Sequence, residues 1–225
     1  VYDDVNTGTW WKDTIRKMKQ DHPNVEHCSV LWPLILFIDG VSHGEFTNLN
    51  QEPILMTFSA FNRDIRNKAQ AWRPIAYVDY KGNMKGKVSP VSALNEYHDV
   101  LGAVFADLIQ VQTTGMNWTF TLPGEGSMDV VLFFPIQFII GDCEGHDKLC
   151  GRYKSHTNTP GLVRDCDILT NMADDTTHVC HFYTQDEMNA FDDAQLKERS
   201  FHRIQHPCHA GMDFGASEQG IYGAV

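Results

Sequence analysis

A chain of 225 residues with 42% hydrophobic and 21% charged side chains has the make-up of a globular protein, with enough material for one large domain or one domain and an appended module. Its formal charge of −11 argues against a protein whose whole surface grips nucleic acid, because neutralising phosphates takes a basic face. No apolar run approaches the roughly 18 residues of a membrane-spanning helix, so no membrane partner is expected.

The first twenty-one residues, with Trp10-Trp11 and a Lys/Arg-rich run, suit a short amphipathic helix ending before Pro23. Leu34-Ile35-Leu36-Phe37-Ile38-Asp39-Gly40 is apolar, β-rich and too short for a globular helix, so it reads as a buried central strand with a carboxylate at its exit. Glu52–Phe61 and Trp72–Tyr80 predict a second and third strand, joined through the polar link Asp64–Ala71 in an antiparallel meander. Ser89 can cap a helix with Pro90 at its first position, and Leu94, Tyr97, Leu101, Val104, Phe105 and Leu108 recur at helical spacing as a core face. Trp118–Leu122 and Met128–Phe134 flank the turn-rich Pro123–Ser127 as a hairpin. Pro135 breaks that strand, and Ile136–Ile140 leads into Gly141-Asp142.

Three meandering strands, a helix and a further central strand, with acids ending the first and fourth, predict an α/β fold of the RNase H-like kind, an α+β mixed sheet. The 118–134 hairpin is then an insertion before the fourth core strand, and a Cys/His-rich stretch is an insertion after it. The expected division is a flanking segment at 1–29, an incomplete core at 30–149, and 150–225 as the Cys/His-rich insertion leading back toward the core. The chain opens on Val and closes on Gly-Ala-Val, which reads as an excerpt of a longer protein.

Asp39 and Asp142 stand 103 positions apart, each closing an apolar run. Each could simply cap a turn or a helix. Together, on neighbouring strands, they suit phosphoryl transfer, in which two divalent ions about 4 Å apart activate the attacking oxygen and stabilise the leaving one. Mg²⁺ or Mn²⁺ takes such carboxylate ligands. A third acid is needed, and Glu144, Asp147 and Glu218 are the candidates within the chain. Arg63, Arg66, Lys68, Arg73, Lys81, Lys85 and Lys87 outnumber the two acids among them, Asp64 and Asp79, a basic stretch that can meet DNA phosphates or merely be a solvated face. Five of the six cysteines stand from Cys143 onward among many of the histidines, which favours metal over disulfides in a chain this large. Cys150, Cys166, Cys180 and His181 are the candidate Zn²⁺ ligands; the alternative is buried thiols and surface imidazoles. Cys28 and Cys143 read as structural.

Leu34–Gly40, the block Phe58–Pro74, and Phe133–Asp142 continuing through Leu149-Cys150-Gly151-Arg152-Tyr153 resemble, in that order, transposases of the Kyakuja–Dileera–Zisupton superfamily, including the Plavaka-type elements. The similarity runs from about Val30 to the last residue. It implies an RNase H-like catalytic core that cuts and joins DNA with a DDE triad and Mg²⁺ or Mn²⁺, Asp39 matching the first acid and Asp142 the second. It also implies a Cys/His-rich insertion after the second acid, although Asp167 follows Cys166 where that family tends to pair cysteines closely. Phe214–Ala224 looks like the lead-in to a Pro-x-Glu-x-Leu-His block, in or beyond which the third acid would lie.

The function expected is therefore the catalytic core of a DNA transposase, acting in the nucleus as an oligomer on transposon ends and target DNA, with this excerpt inactive alone. The rivals are an RNase H-like nuclease that hydrolyses without joining, and a transposon-derived, catalytically inert DNA- or protein-binding module.

Overall fold

The computed structural model describes residues 8–23, 29–42, 50–80, 90–124, 126–152, 183–199, 201–218 and 220–221. In chain order these form α1 (Thr9–Asp21), β1 (Ser29–Leu31), β2 (Leu34–Ile38), β3 (Val41–Ser42), β4 (Asn50–Phe58), α2 (Arg63–Arg66), a 3₁₀ turn at Ala69–Ala71 and β5 (Arg73–Tyr80). There follow α3 (Pro90–Thr114), β6 (Met116–Leu122), β7 (Gly126–Phe133), β8 (Ile136–Ile140), α4 (Cys143–Leu149), α5 (Gln185–Ala190) and α6 (Asp193–Glu198). The fold is mixed α+β. The meander, the long helix and the hairpin stand where the residue patterns predict them. The expected Ser89 cap lies outside the described residues.

Among the described residues the strands make two mixed sheets. In the larger, β4 is antiparallel to β5 along one edge and to β2, continued by β3, along the other, and β8 runs parallel to β2. The hairpin β6–β7 belongs to a separate three-stranded sheet in which β1 lies parallel to β7.

Helix α3 closes one face of the larger sheet. Its Tyr97, Leu101 and Phe105 pack with Leu36, Ile38, Ile54, Ile136 and Ile139 in one core, each fully buried side chain contributing about 1.5–3 kcal/mol of transfer free energy. Further along the same helix Leu108 and Val111 meet Val130 and Leu132 of the smaller sheet. Cys208, Phe214 and Ile221 enter the first core too, so residues late in the chain pack beside β2. Helix α1 fastens that return: the Trp10 indole N–H donates to the Phe214 carbonyl (3.1 Å), the Ala216 N–H donates to the Thr14 hydroxyl (2.9 Å), and Lys17 pairs with Asp213 (3.1 Å). A satellite cluster of Cys150, Tyr183, Met188, Leu196 and Phe201 surrounds α5 and α6, whose starts carry capping boxes at Thr184/Glu187 and Asp192/Gln195. No helix of the described residues is long and apolar enough to cross a membrane.

The pairing of β8 slips by one residue near its start. Leu34 pairs with Ile136, but Ile35 pairs with Phe138, leaving Gln137 as the extra residue. Side chains alternate faces along a strand, so one extra residue exchanges the faces of everything after it. Ile136 is fully buried while Phe138, two positions on, is 42% exposed. Beyond the slip Ile139 shares the α3 side with Leu36, and Ile140 lies opposite Phe37 on the other face.

Candidate active site

Both aspartates follow directly from this register. Phe37 pairs with Ile140; continuing past the last pairs sets Ile38 against Gly141 and Asp39 against Asp142, on adjacent parallel strands about 4.8 Å apart. Leu36 and Ile38 lie under α3, so alternation carries Asp39 to the other face with Phe37, while Asp142 leaves β8 as the extended N-cap residue of α4.

Two glycines make the close approach possible. A Cβ on Gly141 would collide with the Ile38 carbonyl oxygen, and one on Gly145 would lie 3.2 Å from that same oxygen and 3.2 Å from Asp142 Oδ1. The last residue of β2 is thus held in the groove between the end of β8 and the first turn of α4. Asp142 caps that helix, its Oδ1 accepting the Gly145 N–H at 2.6 Å. The capping role anticipated as an alternative is therefore real, and it uses one oxygen of an exposed carboxylate. Asp39 is half-buried.

Carboxylate oxygens are the donors that Mg²⁺ and Mn²⁺ prefer. Of the three candidates for a third acid, Glu144 lies in the first turn of α4 and pairs with Lys148 (3.7 Å), Asp147 is buried, and Glu218 is exposed near the end of the described residues. None of the three is brought into register with Asp39 and Asp142.

The basic residues divide. β4 is antiparallel to β2, with Phe58 opposite Leu34, so α2 and the turn after it sit at the sheet end away from the aspartates. Arg63, Lys68 and Arg73 are exposed there, whereas Arg66 is half-buried with its guanidinium donating to the Ser59 and Phe61 carbonyls. β5 then runs back, Tyr80 pairing with Asn50 at the end where β2 exits; Lys81, Lys85 and Lys87 follow it outside the described residues. Cys150 is buried just after α4. The other expected zinc ligands, Cys166, Cys180 and His181, also lie outside the described residues, as does Cys28. Among the described residues no group of three or more His, Cys, Asp or Glu could hold a metal ion.

Residue patterns gave no warning of the polar groups beneath the site. Glu52, 2% exposed, accepts the Tyr97 hydroxyl at 2.7 Å and lies 4.0 Å from Lys148 Nζ. His98 is fully buried; its Nδ1 accepts the Cys208 N–H at 3.1 Å, so Nε2 carries the proton and donates to the Lys148 carbonyl at 3.0 Å. Burial lowers the pKa of His98. Burial, reinforced by His98, takes the neighbouring His209 down to about 4, and burial pushes the Cys208 thiol up to about 12. These are neutral interior groups.

The family model described as Plavaka transposase matches residues 1–212. No curated protein matches the chain at a significant level.

Proposed function

The chain belongs to the Plavaka transposase family, and from that membership we propose that it forms the catalytic part of a DNA transposase that cuts and joins DNA by metal-dependent phosphoryl transfer on an RNase H-like sheet. The observation that carries this reading is the parallel register Phe37–Ile140, after which Asp39 and Asp142 both leave the same end of the sheet. The sheet order β5, β4, β2, β8, with only β8 parallel to β2, supports the fold assignment.

Bound there, Mg²⁺ or Mn²⁺ would supply activation of the attacking oxygen and stabilisation of the leaving one. The protein's own part is placement. In this reading Asp39 and the oxygen of Asp142 not taken by Gly145 would be the ligands, and the glycine contacts at Ile38 would limit how far they can part. Arg63, Lys68 and Arg73, with Lys81, Lys85 and Lys87 further along the chain, would contact phosphates of transposon ends and target in the nucleus. Zinc held by Cys150 with Cys166, Cys180 and His181 would stabilise the following insertion, and metal analysis of purified protein checks that element separately.

In the full-length protein, Asp39→Asn and Asp142→Asn should each lower strand transfer by at least about 100-fold while leaving DNA affinity within a few-fold. Unchanged transfer would overturn the assignment. With target DNA supplied, cleavage without joined products would indicate a hydrolytic nuclease instead.

A further inference from the structure

Helix α4 has seven residues, too few to be stable by itself, so its placement is set by what grips it. Its N-terminal grip is the Asp142 cap and the glycine contacts with Ile38. Its other end is gripped through Lys148, on the α3 side of the sheet. Glu52, on β4, is buried and has no hydrogen-bond partner for its Oε2; Lys148 Nζ stands 4.0 Å from that oxygen, and the Tyr97 hydroxyl donates to Oε1 at 2.7 Å. Lys148 Nζ also lies 6.0 Å from the centre of the Tyr97 ring and 3.7 Å from Glu144. The Lys148 backbone carbonyl is held by His98 at 3.0 Å.

A carboxylate taken out of water into an apolar sheet face is retained at a desolvation cost. Replacing it by an apolar residue would serve the core at least as well. Its geometry suggests a different service, because a helix turns 100° per residue and a small rotation of α4 about its axis would swing Asp142 away from Asp39. We infer that Glu52, through Lys148 and Tyr97, is a positioning residue that sets the rotation of α4 and thereby aims the Asp142 carboxylate at Asp39. The inference rests on reading Asp39 and Asp142 as one cation site.

Mn²⁺ titrated calorimetrically into the whole chain, with thermal melting of each variant alongside, tests it. Lys148→Met and Glu52→Gln should each weaken Mn²⁺ binding about 10-fold, as removal of groups that orient metal ligands typically does. Tyr97→Phe, which keeps the ring, should weaken it several-fold, and Lys148→Arg should stay within about two-fold. The deciding variant is the double Glu52→Gln/Lys148→Met, which leaves no lone buried charge. It should melt close to the parent chain yet still bind Mn²⁺ about 10-fold more weakly. Parental Mn²⁺ affinity in the double variant would overturn the positioning role and leave these groups purely structural. Asp142→Asn separates the two layers: if it binds Mn²⁺ like the parent the cation site itself falls, whereas loss of binding there with full binding in the double variant removes the positioning role alone.

Discussion

Asp142 does two things at once, and the two can be taken apart chemically. Its Oδ1 caps α4 through the Gly145 N–H, a task asparagine performs equally well and alanine cannot. Asp142→Asn should therefore leave the unfolding free energy within about 0.5 kcal/mol of the parent, whereas Asp142→Ala should lower it by about 1 kcal/mol. Urea denaturation measures both, and both should abolish Mn²⁺ binding. The buried histidines give a second residue-scale expectation. His209 is held near 4 and His98 below its ordinary value, so the unfolded chain binds more protons than the folded one and stability rises with pH. Their contribution is complete above about pH 6.5 and is lost as pH falls toward 4, by up to about 3 kcal/mol for His209. Denaturation midpoints measured from pH 7 down to 4 should fall accordingly, and His209→Gln should flatten that part of the curve.

At the scale of single elements, β8 sets the phase of the site. The extra residue Gln137 lets Ile136 stay under α3 while Phe138 and Ile140 take the other face. Deleting Gln137 removes the irregularity and leaves the later pairs as they are, so Mn²⁺ binding should survive within a few-fold. Deleting Ile139 lets Ile140 replace it in the core but moves Asp142 one step, into register with Ile38 and onto the α3 side. Mn²⁺ binding should then be lost although a comparable apolar side chain still fills the core, and titration of the two deletions side by side checks this. The apolar run that marked β8 was plain in the sequence. The slip within it was not, since a run of five apolar or amide side chains carries no mark of the residue left unpaired. Helix α4 is equally unmarked in the sequence, because Asp142 and Glu144 suit metal ligation as well as the start of a helix, where they are the N-cap and a first-turn acid.

For the whole molecule, a formal charge of −11 leaves most of the surface unsuited to the proposed DNA substrate, so the proposed phosphate contacts fall to a few exposed cations. Arg63, Lys68 and Arg73 gather at the sheet end remote from the aspartates, where their side chains are exposed. Replacing all three by alanine should lower DNA affinity across sequences and reduce the slope of log K against log salt by up to about 3, read from binding isotherms at several salt concentrations. Arg66→Ala should behave differently. Its guanidinium holds the Ser59 and Phe61 carbonyls, so the expected effect is a loss of about 1–3 kcal/mol of stability with a smaller change in salt slope.

By itself the sequence determined the meander, the long helix with its apolar face, the hairpin, and the two aspartates closing apolar runs, because local propensity and the period of apolar residues are written in neighbouring positions. Ordered blocks of residues likewise pointed to the transposase family. Only the tertiary structure decided that β8 lies parallel to β2 with a one-residue slip, that Ile38 fits between Gly141 and Gly145, and that Glu52, Tyr97, His98 and Lys148 meet beneath the site. Those relations join residues from 45 to 107 positions apart, and they are fixed by which side chains can be buried together, a condition that no local stretch of the chain records.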